Sequence, residues 1–230
     1  GDNEDEKHKN EVKGIKQFWE FVQKIKPDVI CGHNSENFDH PFMFERLNAN
    51  YTTIEEITQQ MHEAPYKKKN ATILKLGGEM EYFRQTVVWG YNITDSLHAV
   101  RRAQAIDSNM KKADLKYVTK YSKLNKRNRV YVPGDKINKL WYDFKSNYAL
   151  NNENGNWYQI TEEKPLQDGF ELVKGDYIVE RYLLDDLYET DKVELTYNQS
   201  NFLLGKMLPT TFGRVCTMGT AGTWKLILMA

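Results

Sequence analysis

Apolar positions at helical spacing open the chain. Ile15, Phe18, Trp19, Val22 and Ile25 share one face of a helix that Pro27 ends. Val29 to Cys31 then reads as a buried strand that stops at Gly32 and a polar run. Pro41 opens a helix over Phe42 to Leu47, since proline suits a first helical turn. A helix followed closely by a strand is the pattern of a parallel sheet. Further on, Thr53 to Glu63 reads as a short helix capped by Thr53. Ile73 to Leu76, Glu81 to Thr86 and Val87 to Ile93 read as strands, with Gly77 and Gly78 as a turn. Asp95 is placed to cap a helix that turns Leu97 and Val100 inward and Arg101 and Arg102 outward. Lys112 to Leu124 predicts a helix with Leu115, Val118 and Tyr121 inward.

The second half alternates in the same way. Arg129 to Val132 reads as a strand, Pro133 to Asp135 as a turn and Lys136 to Phe144 as a helix. Tyr148 to Leu150 and Trp157 to Ile160 flank an Asn- and Gly-rich turn, a hairpin signal. Residues 145–170 are read as a hairpin insertion. The strongest helix runs from Asp176 to about Tyr197, breaks near Asn198 and resumes to Met207. Leu208 and Pro209 end it, Thr210 to Gly222 reads as a connection, and Trp224 to Met229 starts a new helix. Residues 1–10 read as a disordered charged tail, 11–207 as one domain and 208–230 as a connection that stops short.

Composition narrows the function. The 230 residues carry 32 basic and 32 acidic side chains, so no overall field draws the protein to nucleic acid. Any such contact must use local clusters: Lys67 to Lys69, Arg101 with Arg102, Lys111 with Lys112, or Lys123 to Arg129. Cys31 and Cys216 stand far apart and make neither a zinc site nor a disulfide framework, which suits a reducing, cytoplasmic setting. No apolar run reaches the roughly 18 residues of a membrane span, so no membrane partner is expected. The acidic N-terminus excludes a signal peptide as the chain stands. His33, His40, His62 and His98 share no ligand spacing and read as surface or packing residues.

Two stretches carry candidate chemistry. Asn34-x-x-x-Phe38-Asp39 follows a strand and leads into a helix start, where a carboxylate is electrostatically favoured. Tyr182-x-x-x-Asp186 sits on the late helix, with Tyr182 and Asp186 on one face and Asp185 rotated about 100° away. Taken alone, Asp185, Asp186, Glu189 and Asp191 also fit a solvated acidic face, and Asp39 fits a simple cap.

In order and in context, the two stretches resemble the second and third exonuclease motifs of family B DNA polymerases. The passage from Asn198 through Pro209 to Thr220 is similar to the exonuclease-to-palm junction of phage-type members. The resemblance implies an α/β, ribonuclease H-like fold with a mixed sheet flanked by helices, incomplete at its N-terminus. It implies proofreading 3′→5′ hydrolysis of single-stranded DNA 3′ ends and primer-template DNA, with the rest of the polymerase chain as partner. It also implies a two-metal site of Mg²⁺ or Mn²⁺. Asp39 and Asp186 would then be ligands, Tyr182 would position water, and Asn34 and Phe38 would shape the site or touch nucleic acid.

One departure matters. The family's Asp-x-Glu motif has no counterpart on an early strand here. Asp2-Asn3-Glu4 lies in a hydrophilic stretch, so the metal site is expected to be incomplete and this stretch of chain inactive alone. A non-catalytic nucleic-acid-binding or scaffolding module of the same fold is therefore the alternative.

Overall fold

A computed structural model describes residues 2–50, 52–58, 65–76 and 79–229. The chain divides into two compact units, one from Gly1–Ala113 with Glu194–Ala230 and the other from Asp114–Val193.

The first unit begins with α1 (Asp2–Ile25), so the charged stretch from Asp2 onward is helical. No proline or glycine interrupts residues 2–13. Ile15, Trp19 and Val22 are buried, whereas Phe18 and Ile25 stay exposed, so the buried stripe is narrower than the sequence suggests. β1 (Val29–Gly32) pairs in parallel with β6 (Asn92–Asp95), with Gly32 opposite Asp95. The parallel pairing is as expected. The deep burial of β1 is not, because Cys31 is exposed and its neighbours are only half-buried.

α2 (Asp39–Ala49) starts two residues before Pro41, which sits in its first turn. α3 (Ile54–Ile57) carries the expected Thr53 cap as a full capping box with Glu56. The rest of that expected helix, His62 and the Gly77-Gly78 turn lie outside the described residues. β2 (Tyr66–Lys67) pairs with β5 (Thr86–Val87), and β3 (Thr72–Leu76) with β4 (Glu79–Phe83), both antiparallel. The core gathers Ile15, Trp19, Val22, Leu47, Ile54, Ile57, Val88 and Ile93.

α4 (Ser96–Gln104) is capped by Asp95, with Leu97 and Val100 buried as expected. Arg102 does not point outward. Its guanidinium donates to the carbonyls of Cys216 at 2.7 Å and Met218 at 2.9 Å.

The second unit opens with α5 (Leu115–Tyr121), capped by Asp114, followed by α6 (Gly134–Trp141). Between them Val130 and Val132 are buried in a segment that forms no strand ladder. β7 (Tyr148–Leu150) is the middle strand of a three-stranded antiparallel sheet, between β8 (Trp157–Gln159) and β9 (Glu171–Val173). The β7–β8 hairpin therefore contributes to the core of this unit. Tyr148, Ala149 and Leu150 are almost wholly buried, and Tyr148 and Leu150 pack with Val130, Val132, Leu140, Ile178 and Val179. Asn151 to Asn156 turns through Gly155 at φ +74°, where a Cβ would stand 2.2 Å from the Arg129 carbonyl oxygen. Only glycine permits that approach.

α7 (Gly175–Tyr197) is the long late helix and α8 (Gln199–Met207) resumes after Asn198, as the sequence predicts. The Thr210 to Gly222 connection contains a helix, α9 (Phe212–Thr217), whose Thr211 cap accepts from the Arg214 amide, and α10 (Thr220–Met229) follows. Among the described residues, no helix is long and apolar enough to cross a membrane.

Candidate functional site

The loop after β1 is shaped from below by one carboxylate. Asp95 is almost wholly buried, and Asp95 Oδ1 accepts from the amides of Asn34 at 2.8 Å and Leu97 at 3.0 Å. Asp95 Oδ2 accepts from the Glu36 amide at 3.0 Å. One side chain therefore caps α4 and holds the loop that presents Asn34 to Asp39. Asn34 sits at φ +67°, a left-handed conformation that asparagine tolerates better than most residues. Its side-chain oxygen accepts from Asn37 at 3.3 Å.

A second buried carboxylate fastens the same loop. Glu36 accepts from the Thr86 amide at 2.9 Å, the Thr86 hydroxyl at 2.7 Å and Lys67 Nζ at 3.0 Å. Lys67 is thus turned inward rather than out into an exposed basic cluster. The sequence left Glu36 unmarked. Its partners lie 31 and 50 residues away, and no local signal links them.

Asp39 is the first residue of α2 and is exposed. Partial loss of hydration raises its pKa above the ordinary 3.8, and the nearby Asp95 charge adds to this, against a lowering by His40. His40 is buried, and burial pushes its imidazole pKa down, so it is neutral at physiological pH. His33 bonds Ser96 Oγ at 2.9 Å and the Ala113 carbonyl at 3.0 Å, a packing role. Phe38 and Phe42 stack with ring centres 6.3 Å apart, and they are 65% and 52% exposed. Two large apolar rings left in water beside a carboxylate form a platform on which a flat group can stack.

In the second unit, Tyr182 and Asp186 share a face of α7, as their spacing predicts, and the phenol hydrogen-bonds the Asp186 carboxylate. Burial first, then the Asp186 charge, pushes the Tyr182 pKa up to about 12. The phenol therefore stays protonated and acts as a donor. Asp185, Asp186 and Glu189 are not a solvated face. Asp185 and Glu189 are wholly buried, and only Asp191 of the four is out in solvent.

Asp185 accepts from Lys126 Nζ at 2.6 Å and the Val130 amide at 2.9 Å. Arg129, itself buried, binds Asp186 through Nη2 and Glu189 through Nη1, the latter at 2.7 Å. Burial alone would lower the Arg129 pKa, but its hydrogen bond to Asp186 and the two carboxylate charges outweigh it and raise the value. Burial raises that of Glu189, against the opposing pull of Arg129.

The carboxylate oxygens of Asp39 and Asp186 are the hard donors that Mg²⁺ or Mn²⁺ takes. Their arrangement within each unit does not make a metal site. The carboxylate that bears on Asp39 is that of Asp95, whose oxygens are committed to backbone amides, and Asp186 is already paired with Arg129. Among the described residues, no group of three or more His, Cys, Asp or Glu side chains is arranged to hold a metal ion.

The fold is mixed α/β, which is consistent with the ribonuclease H-like class. Residues 6–81, which include Asn34, Phe38 and Asp39, match the family model of the DNA polymerase family B exonuclease domain. The structure is similar to that of the family B DNA polymerase from the hyperthermophilic archaeon Pyrobaculum calidifontis. The TM-score is 0.60 at 21% sequence identity, over 94% of this chain and 22% of that one. The chain thus spans about a fifth of that polymerase's length. No curated protein matches the sequence. The family match and the fold together support an exonuclease region of the family B polymerase type.

Proposed function

We propose that the chain is the 3′→5′ exonuclease region of a family B DNA polymerase, acting on single-stranded DNA 3′ ends frayed from primer-template DNA. The match of residues 6–81 to the exonuclease model, which covers the Asn34 to Asp39 stretch, carries this reading. Under it, Asp39 and Asp186 bear on the scissile phosphate, and the rest of the polymerase is the partner. The passage from Asn198 to Thr220 argues for a phage-type parent.

The chain's own groups have defined parts in this reading. The Tyr182 phenol, protonated throughout the neutral range, spends its O–H on Asp186, so under this reading it orients a water through its oxygen lone pairs and does not ionise to the phenolate that a base would need. Phe38, stacked on Phe42, offers its face to a terminal base. Asn34, held by Asp95, fixes the direction in which Asp39 leaves the loop. Mg²⁺ or Mn²⁺ is the proposed cofactor, and it would supply charge neutralisation and a more acidic water. Carboxylates from beyond this stretch would have to complete its coordination.

Incubation of 5′-labelled single-stranded DNA with Mg²⁺ or Mn²⁺ tests the proposal. Stepwise shortening from the 3′ end, stopped by EDTA and lost in Asp39→Ala and Asp186→Asn, is the expected result. No shortening by the full-length protein that carries this chain would overturn it.

The Arg129–Asp186 pair favours a second reading, a non-catalytic nucleic-acid-binding or scaffolding module. It predicts DNA binding that ignores divalent ions and survives Asp186→Asn.

A further inference from the structure

The unit Asp114–Val193 contains a recess of about 590 Å³ with a one-sided charge. Its lining includes five cations, Lys120, Lys126, Arg127, Arg129 and Lys164, and no carboxylate. Lys126 and Arg129 are spent on Asp185, Asp186 and Glu189. Lys120, Arg127 and Lys164 are exposed, and among the described residues none of the three has a carboxylate partner. Lys120 Nζ rests 4.8 Å over the Tyr131 ring and Lys164 Nζ 4.0 Å over the Tyr158 ring. An exposed cation–π contact is worth only about 0.5–1 kcal/mol, so an arriving phosphate can recruit either ammonium.

The two walls are fastened to each other. The Trp157 indole donates to the Tyr131 carbonyl at 2.8 Å, and Asn128 donates to that of Asn152 at 2.8 Å. Gly155 lets the turn lie directly on the Arg129 backbone. The recess is therefore preformed, with exposed cations seated over aromatic rings of its lining. Several cations suit successive phosphates, and aromatic faces suit unpaired bases.

We propose that this recess binds a short stretch of single-stranded nucleic acid, its phosphates on Lys120, Arg127 and Lys164 and its bases against Tyr131 and Tyr158. The proposal rests on the nucleic-acid reading above but needs no hydrolysis, so its test is run without metal.

The probe is fluorescein-labelled (dT)12, titrated with the full chain in EDTA and followed by anisotropy over a range of salt. Arg127→Ala/Lys164→Ala is expected to weaken binding about tenfold. It should also lower the slope of log K against log salt by about 1.4, at about 0.7 per single-strand phosphate contact. Tyr158→Leu should weaken (dT)12 while leaving inorganic polyphosphate binding unchanged. Lys111→Ala/Lys112→Ala, the same change of charge in the other unit, should leave the slope unchanged. Circular dichroism confirms the fold of each variant.

An unchanged affinity and slope in Arg127→Ala/Lys164→Ala would overturn the proposal. So would an equal loss in the Lys111 and Lys112 pair, which reduces the effect to net charge. Indifference of (dT)12 to Tyr158→Leu would overturn the nucleic-acid assignment and leave a polyanion surface only. Failure of the exonuclease reading would appear differently, as intact binding without Mg²⁺- or Mn²⁺-dependent shortening.

Discussion

Arg129→Met removes one cation from two carboxylates and keeps most of the side chain's apolar bulk. Arg129 Nη1 and Glu189 Oε2 are 2.7 Å apart, and both side chains are at most 1% exposed. At an effective dielectric of about 20 their attraction is about 6 kcal/mol, set against several kcal/mol per ion of lost hydration. Deleting one partner leaves the second cost with no compensation. The expected loss is about 3–5 kcal/mol, or roughly 6–20 °C in Tm for a chain of this size.

The pH dependence gives the argument a second handle. The Glu189 pKa already stands above 4.5 through burial, and without Arg129 it must rise further. A carboxyl with a raised folded-state pKa contributes stability that is fully present below its unfolded value and is lost as pH rises through the folded one. The deficit of Arg129→Met is therefore largest near pH 7.5 and shrinks at pH 5. Arg129→Met/Glu189→Met should recover at least half of it. The assay is urea unfolding by circular dichroism at both pH values, with the exposed Arg127→Met as control. A deficit below about 1 kcal/mol, no greater than that of a typical surface substitution, would refute the reasoning. So would a deficit that grows as the pH falls.

Other expectations follow from single contacts. Gly155→Ala places a methyl 2.2 Å from the Arg129 carbonyl oxygen at φ +74°, so thermal unfolding should register a loss of about 2–4 kcal/mol. Asp95→Ala removes the α4 cap and leaves the Asn34 and Glu36 amides without their acceptor. It should cost about 2–4 kcal/mol and strip hydrogen-exchange protection from those two amides, whereas unaltered protection would contradict the assigned role. The raised Asp39 pKa means that its charged form is disfavoured on folding, so Asp39→Asn should raise Tm at pH 7 while abolishing DNA shortening. A lower Tm for Asp39→Asn would show that the carboxylate is stabilising where it stands.

What was legible in the sequence was local. The Ile15, Trp19 and Val22 stripe, the Asp95 cap and the break of the late helix at Asn198 each depend on residues within a turn or two. The Tyr182 and Asp186 juxtaposition is also fixed by helical spacing alone. What was hidden depends on partners far along the chain. Asp185 and Glu189 have the composition of a solvated helix face. They are buried because Lys126, Arg129, Thr119 and the Val130 amide reach them from 55 to 70 residues away. For the same reason Glu36 went unmarked and Lys67 read as part of a basic cluster, although the two are paired. β9, three residues long, exists only because β7 is there to pair with it. The exposure of Cys31 follows from β1 having only β6 beside it among the described residues, which no apolar run can reveal.

Under the proposed function, Asp39 and Asp186 both serve the same hydrolysis. The rate of 3′-nucleotide release tests this most directly, measured for the full-length protein that carries this chain, for Asp39→Ala, for Asp186→Asn and for the double variant. Residues that work as a unit lose their effect together, so the double variant should be no slower than either single one. Two losses that multiply would place the carboxylates in separate roles, and release that persists in either single variant would contradict the account outright.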